Sequence, residues 1–166
     1  GNGNHSKKIQ KILKRFRKRF NVYTSKDLNH QKKINEISNS KAIFIITPNH
    51  THFKLIKLFK KKYIFCEKPP VTNLKDFNDL KKINNGKIHF NFNRKYSKLY
   101  FYLKKLISKH RLGNLTYGIF VSSKGLTQKY SYKDNWRSKK KFVKTGVFEN
   151  VSIHTLDLID QIFGIK

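Results

Sequence analysis

The 166-residue chain contains no methionine, one cysteine and only nine acidic residues. A single cysteine, Cys66, excludes a disulfide within the chain and a zinc site built from several cysteines. No apolar run approaches the length that spans a membrane, and the first residues show no signal-peptide pattern. These absences favour a cytoplasmic, soluble protein with no membrane partner. They also lead us to expect no bound metal, although His50 and His52 lie two residues apart.

Acidic residues are outnumbered by 38 lysines and arginines, which gives a formal net charge of +29. Such an excess is typical of proteins that bind nucleic acid or an anionic surface. Here the lysines are spread along every segment, and alanine occurs only once. That composition is expected from an AT-rich genome, so we interpret most of the charge as solvated surface. A basic nucleic-acid-binding protein remains the alternative, and we expect nucleic acid not to be the partner.

One supersecondary unit occupies residues 42–70. Ala42–Ile46 is a short apolar run rich in β-branched residues, as expected of a strand covered on both faces. Thr47-Pro48-Asn49 ends this strand, and apolar residues at helical spacing follow it. Tyr63–Cys66 is a second apolar run, which ends at Glu67-Lys68-Pro69-Pro70. Strand, helix and strand at this spacing predict a βαβ unit with parallel strands.

Similar patterns flank this unit and predict an α/β fold. Apolar residues recur at helical spacing over Lys7–Phe20, from Leu74 to Ile83 and over Ser97–His110. Asn73 is the predicted N-cap of the second of these helices. Lys87–Asn93 alternates apolar and polar residues and predicts a third strand, and Leu115–Ser123 predicts the start of a second sheet. In Ser97–His110 we expect Leu99, Leu103, Leu106 and Ile107 to face inward.

Three segments carry a further pattern. Residues 1–6 read GNGNHS, and residues 47–52 read TPNHTH, followed at a distance by Glu67-Lys68-Pro69. Trp136-Arg137 precedes Gly146 and then His154-Thr155-Leu156-Asp157. Together, and in this order, these segments resemble the Gfo/Idh/MocA family of NAD(P)-dependent oxidoreductases. The EKP sequence at this distance after TPN-x-x-H is the most specific part of the resemblance.

The resemblance implies two domains. Residues 1–93 would form a Rossmann-type doubly wound parallel sheet that lacks its first strand. Residues 94–166 would form the beginning of an α/β domain with an open sheet, which is used for substrate binding and oligomerisation. Family members are usually much longer, so we interpret the chain as a fragment or a shortened member. A homo-oligomer is expected only if the second domain is complete.

The cofactor implied by the resemblance is NAD or NADP. Its binding residues would come from the glycine turn, from the loop after the first strand and from the EKP turn: Gly1, Gly3, Ser6, Thr47, Pro48, Asn49, His52, Glu67 and Lys68. Asn21–Tyr23 carries no acid that would bind the adenosine ribose. We therefore expect weak dinucleotide binding, with Arg15, Arg17 and Arg19 as the available contacts for a 2′-phosphate.

The resemblance also implies hydride transfer between a sugar or nucleotide-sugar hydroxyl and the nicotinamide. Lys68 and His154 would be the catalytic residues, and a cis peptide bond is predicted between Lys68 and Pro69. The substrate would contact these two residues and four others: Arg94, Trp136, Arg137 and Asn150. Asn150 stands where many family members have an aspartate, and an amide cannot titrate. A non-catalytic member that keeps only nucleotide binding is the alternative.

Overall fold

The computed structural model describes residues 1–83, 86–109, 111, 113, 116–121, 136–143 and 148–164. The chain divides into two compact units, Gly1–Asn91 and Phe92–Lys166. All strands found among the described residues lie in the first unit, together with four of the α-helices. None of the helices in these ranges is long and apolar enough to cross a membrane.

The first unit alternates helices and strands, as the sequence predicts. Its helices are α1 (Asn4–Arg15), α2 (Gln31–Ser38), α3 (Asn49–Leu58) and α4 (Leu74–Ile83), and its strands are β1 (Ala42–Ile45), β2 (Tyr63–Cys66) and β3 (Ile88–Phe90). A short 3-10 turn, Asp27–Asn29, precedes α2. The helix predicted over residues 7–20 begins earlier than expected, directly after its N-cap, Gly3. It also ends earlier, because Arg17 adopts a positive φ of 51° just after the C-cap residue, Phe16.

The three strands form one parallel sheet in the order β1-β2-β3. Ile43 is paired with Ile64, and Ile64 with Ile88. Helix α3 joins β1 to β2, and α4 joins β2 to β3, so the unit contains two successive βαβ crossovers. The predicted parallel pairing is therefore confirmed, and the sheet is open and of the Rossmann type.

The core lies on one face of this sheet. Ile45, Ile64 and Cys66 are at most 2% exposed. They pack in one cluster with residues of α2, of α3 and its C-cap, of α4 and of β3, namely Ile37, Phe53, Leu55, Ile56, Phe59, Leu80 and Ile88. Burial raises the pKa of the Cys66 thiol well above its ordinary value, which supports the prediction of a structural cysteine.

The opposite face of the sheet is less well covered than the sequence predicts. Ala42, Phe44, Tyr63 and His89 are exposed, and the Phe44 and Phe65 rings contact each other at 5.3 Å between centroids. Because side chains alternate across a strand, these residues point away from the core cluster. The prediction that the first strand is covered on both faces is therefore wrong: the buried apolar residues of α3 and α4 all belong to the cluster on the other face.

The second unit is described in several separate parts. It contains α5 (Lys98–Ser108) and α6 (Ile153–Phe163), two 3-10 turns, Asn93–Tyr96 and Trp136–Ser138, and a π-helical turn, Phe148–Ser152, that runs into α6. Ser97 caps α5, because its Oγ accepts a hydrogen bond of 3.2 Å from the Tyr100 N–H.

One of the four residues predicted to face inward on α5 is exposed. Tyr100 is buried, whereas Leu99 is 62% exposed. Leu103, Leu106 and Ile107 are partly buried as predicted, whereas Leu99 shares their side of the helix but lies uncovered in its first turn. The expectation that Leu99 faces inward is therefore wrong.

The strand predicted over Leu115–Ser123 lies partly outside the described residues. Residues 116–121, which are described, form no ladder with another described strand. The side chains of Tyr117, Ile119 and Val121 are 77%, 70% and 87% exposed. An isolated strand gains neither ladder hydrogen bonds nor burial, so this segment alone does not form regular structure.

Candidate functional site

The carboxyl edge of the sheet gathers the predicted cofactor residues of the first unit. In a parallel sheet, the loops that follow the strands meet at one edge, and ligands bind there. Thr47-Pro48-Asn49 follows β1, Glu67-Lys68-Pro69 follows β2, and Asn91 follows β3. Backbone hydrogen bonds continue the sheet into these turns, from the Glu67 N–H to the Ile45 carbonyl at 3.0 Å and from the Asn91 N–H to the Cys66 carbonyl at 2.9 Å.

The glycine turn packs against the same edge. A Cβ on Gly1 would collide with the carbonyl oxygen of Ile46, the residue that follows β1. Gly3 is the N-cap of α1, and a Cβ built there would meet no atom within 4 Å. Packing therefore requires glycine at position 1, whereas Gly3 keeps space open in front of α1. Free backbone N–H groups and the positive end of the helix dipole make such a helix N-terminus suitable for a pyrophosphate.

Ser6 occupies the position of the third family glycine. Its side chain is 5% exposed, and its Oγ accepts a hydrogen bond of 3.1 Å from the Gln10 Nε2 one turn later. Serine is small, and its buried hydroxyl has a partner within its own helix. The substitution of serine for glycine is thus compatible with a Rossmann turn.

The loop after β1 is fixed by local hydrogen bonds. Pro48 is the N-cap of α3, and Asn49, the first helical residue, is 6% exposed. The Thr51 Oγ1 lies 2.7 Å from both the Thr47 Oγ1 and the Pro48 carbonyl oxygen. These contacts hold Thr47, Pro48 and Asn49 in one defined turn at the edge of the sheet.

His52 joins this turn to the turn after β2. Its side chain is completely buried, with Nδ1 2.7 Å from the Pro69 carbonyl oxygen and Nε2 2.8 Å from the Thr47 carbonyl oxygen. Burial lowers the pKa of His52, although the two carbonyls and the nearby Glu67 carboxylate act in the opposite direction. A neutral imidazole has one N–H and can donate to only one of the two carbonyls.

Glu67 connects the turn after β2 to helix α1 and to the turn after β3. Its Oε1 accepts a hydrogen bond of 2.6 Å from the Asn91 Nδ2 and lies 2.7 Å from the His5 Nε2. The Glu67 side chain is 12% exposed and that of His5 is 49% exposed. Sequence reasoning missed His5 and Asn91; their only signals were a place inside the glycine turn and a place directly after the third strand.

Lys68 lies between Glu67 and Pro69, at the carboxyl end of the middle strand. Its side chain is partly buried, and the peptide bond between Lys68 and Pro69 is cis, as predicted. Within the first unit, the structure thus brings together the glycine turn, the Thr47-Pro48-Asn49 loop and the Lys68 turn. His154 belongs to the second unit.

Two elements of the second unit that carry predicted substrate residues are joined by a hydrogen bond. The Arg94 Nη1 donates a hydrogen bond of 2.8 Å to the Oγ1 of Thr155, the residue after His154. Sequence reasoning assigned no role to Thr155. Trp136 is half-buried in its 3-10 turn, and the side chains of Arg137 and Asn150 lie outside the described part of the structure.

Helix α6 carries His154 and Asp157, which are both partly buried, and Gln161, which is exposed. Burial raises the pKa of Asp157, Asp160 acts in the same direction, and Lys95 opposes both. Neither unit contains, among its described residues, a group of three histidine, cysteine or acidic side chains that could hold a metal ion.

Comparison with known proteins relates the first unit to a family with a Rossmann fold. The GFO_IDH_MocA pattern, an oxidoreductase family with an NAD-binding Rossmann fold, matches residues 3–88, just over half of the chain. Similar solved structures include an inositol dehydrogenase homolog from Azotobacter vinelandii complexed with NAD+, with a TM-score of 0.65 and 19% identity. The match covers 81% of this chain and 38% of that one.

Two further structures extend this likeness. The myo-inositol 2-dehydrogenase of Lactobacillus plantarum matches 81% of this chain and 41% of its own, with a TM-score of 0.64 and 22% identity. The WlbA (WbpB) dehydrogenase of Thermus thermophilus, in complex with NAD and UDP-GlcNAcA, matches 81% of this chain and 46% of its own, with a TM-score of 0.62 and 18% identity. The chain thus spans less than half the length of these structures. At identities this low, the likeness shows a shared fold and nothing more. Through its NAD-binding Rossmann fold, the chain belongs to the Gfo/Idh/MocA oxidoreductase family.

Proposed function

We propose that the chain carries the cofactor site and part of the substrate site of an NAD(P)-dependent oxidoreductase that acts on a hydroxyl of a sugar or nucleotide sugar. One observation carries the proposal: the glycine turn, the Thr47 turn and the Lys68 turn are joined at one sheet edge through His52 and Glu67. The relatives support the substrate class, because one was solved with NAD(H) and scyllo-inositol and another with NAD and UDP-GlcNAcA.

For the cofactor, the pyrophosphate of NAD or NADP would lie at the N-terminus of α1, in the space that Gly3 leaves open. The turns at Thr47-Pro48-Asn49 and Glu67-Lys68 would line the nicotinamide side of the site. Asn21–Tyr23 offers no carboxylate for the adenosine ribose, so affinity in this chain is expected to be weak. We also propose that residues 94–166 begin an α/β domain with an open sheet.

For the reaction, NAD or NADP held by the glycine turn and the two turns after β1 and β2 would supply hydride transfer to or from the carbon that bears the hydroxyl. His154 removes the hydroxyl proton as general base, because an imidazole titrates near neutral pH. Lys68, when protonated, orients the hydroxyl and stabilises the negative charge that develops on its oxygen. The remaining substrate contacts in this proposal come from Arg94, Trp136, Arg137 and Asn150.

Steady-state NAD(P)H production with a panel of inositols, sugars and nucleotide sugars tests this proposal. We expect His154→Ala and Lys68→Ala each to lower turnover about 10²–10⁴-fold. Lys75→Ala, on the exposed side of α4, is the matched control and should leave turnover unchanged. Asn150→Asp should stay within about tenfold of the original activity, because it keeps a group that can hold a hydroxyl. Full turnover in folded His154→Ala would remove the histidine from the mechanism.

The two alternatives predict different results. A non-catalytic member would bind NAD(H) without turnover on any substrate of the panel. A nucleic-acid-binding protein would bind DNA or RNA with an affinity that falls steeply with salt, in keeping with its net charge of +29. Filter binding of DNA and RNA at low and moderate salt, with and without NAD+, separates the nucleic-acid-binding alternative from the proposed oxidoreductase.

A further inference from the structure

His5 lies in the first turn of α1, beside the place proposed for the pyrophosphate. Its Nε2 lies 2.7 Å from the Glu67 Oε1, the same oxygen that accepts a hydrogen bond from Asn91. An ionised carboxylate can only accept, so in this contact the His5 Nε2 carries a proton. The Nδ1 of His5 is therefore the atom that gains a proton when the ring becomes cationic.

Glu67 creates an electrostatic problem for a dinucleotide. Its carboxylate is negative, it lies at the sheet edge where the cofactor would bind, and only 12% of its side chain is exposed to solvent. The pyrophosphate adds two further negative charges at the N-terminus of α1. A nearby anion favours the charged form of an imidazole, and the imidazole of His5 is in contact with Glu67.

We propose that His5 is a further residue of the dinucleotide site, which takes up one proton at Nδ1 from solvent when the pyrophosphate binds. The imidazolium then offsets the repulsion between the Glu67 carboxylate and the pyrophosphate, while its Nε2–H keeps the link to the turn that carries Lys68. This inference rests on the proposed function, since it requires NAD(H) or NADP(H) at the glycine turn.

The other side chains around His5 do not supply this effect. Lys7 and Lys8 follow it on α1, and Lys68 follows Glu67, but lysines stay cationic throughout the range from pH 6 to 8. Asn91, which comes from the turn after β3, is neutral and does not titrate. His52 is enclosed between Thr47 and Pro69, and burial lowers its pKa. The N-terminal amino group of Gly1 lies in the same turn as His5, donates a hydrogen bond of 2.8 Å to the Tyr23 carbonyl, and has a pKa that is lowered by burial. It is the rival source of a proton change, and His5→Gln distinguishes the two groups.

Isothermal titration calorimetry of the full chain with NAD+ tests the inference. Titrations at pH 7 in MOPS and in Tris, which differ in ionisation enthalpy, give the number of protons taken up. NAD+ is the suitable probe because, unlike the 2′-phosphate of NADP+, it has no group that titrates near pH 7. We expect uptake of up to about one proton per NAD+, and a Kd about threefold or more lower at pH 6 than at pH 8.

Two variants make the result specific. His5→Gln should bind NAD+ without buffer-dependent heat and with a Kd independent of pH, whereas His89→Gln, on the exposed face of β3, should behave as the original chain. Proton uptake that persists in His5→Gln would overturn the inference. NAD+ binding without proton uptake would overturn it and leave the proposed function intact, and absence of NAD+ binding would overturn both. Should His5→Gln not fold, the NMR titration of His5 in the original chain decides: its midpoint must rise with NAD+.

Discussion

At the residue scale, His52 links the chemistry of one side chain to the stability of the fold. Burial lowers its pKa from the ordinary value of 6.5, so the unfolded chain binds this proton more readily than the folded one. The folded state therefore has its full stability, as far as His52 is concerned, above about pH 6.5. That stability is lost as the pH falls from 6.5 through the lowered pKa of His52. One proton accounts for at most about 1.4 kcal/mol of unfolding free energy per pH unit.

Urea denaturation at pH 5.5 and 7.5 checks this prediction. The free energy of unfolding should be lower at pH 5.5, and His52→Gln should reduce the difference between the two values because glutamine does not titrate. His89→Gln removes an exposed histidine and should leave the difference unchanged. An equal pH dependence in His52→Gln would assign the effect to other groups.

Asp157 is predicted to have the opposite pH dependence. Its Oδ2 is buried without a hydrogen-bond partner among the described residues, and burial raises the pKa of its carboxyl group. The folded state thus disfavours the carboxylate, which costs stability at neutral pH but not below pH 3.8, where both states are protonated. Asp157→Asn should raise Tm by about 1–3 °C at pH 7, with a smaller gain toward pH 4. Asp160→Asn, one turn along on the exposed side of α6, should give a smaller change; a fall in Tm for Asp157→Asn would contradict this account.

At the element scale, α4 begins with a reciprocal cap. The Asn73 Oδ1 accepts a hydrogen bond of 2.9 Å from the Asp76 N–H, and the Asn73 Nδ2 donates one of 2.7 Å to the Asp76 Oδ2. Asn73→Ala should therefore lower the free energy of unfolding by about 1 kcal/mol, as measured by urea denaturation. Asn78→Ala, an exposed position inside the same helix, is the control, and alanine should be neutral or slightly stabilising there. Equal effects of the two changes would exclude a capping role.

The same elements show which features could be predicted from sequence. The β2 boundaries, the α3 stripe and the Asn73 cap depend on local patterns, and the structure confirms all three. The buried face of α5 depends on which neighbour covers it, so Leu99 was misplaced. His5 and Asn91 meet at Glu67 across 62 and 24 residues of sequence, and no local pattern encodes such a contact. The resemblance predicts where the candidate site lies, whereas the contacts that join its turns are seen only in the three-dimensional structure.

At the scale of the whole molecule, buried apolar residues are distributed unevenly between the two units. Ten of them form the cluster around the sheet of the first unit. Tyr100 and Val143 are the buried apolar residues described in the second unit. Since burial of apolar surface is the main stabilising contribution, we expect the sheet region to open only on global unfolding and the second unit to open at lower free energy.

Hydrogen exchange of the intact chain, followed by NMR, tests this expectation with two helices of similar length. Helix α3 contains several buried residues, among them His52, Phe53, Leu55 and Ile56. All residues of α6 are described, and none of them is buried. Amides in the second half of α3 and in β2 should therefore exchange most slowly. Those of α6 should exchange about tenfold faster or more, because each 1.4 kcal/mol of lower opening free energy gives a factor of ten. Equal protection of the two helices would mean that the second unit is stabilised by interactions other than the burial seen in its described residues.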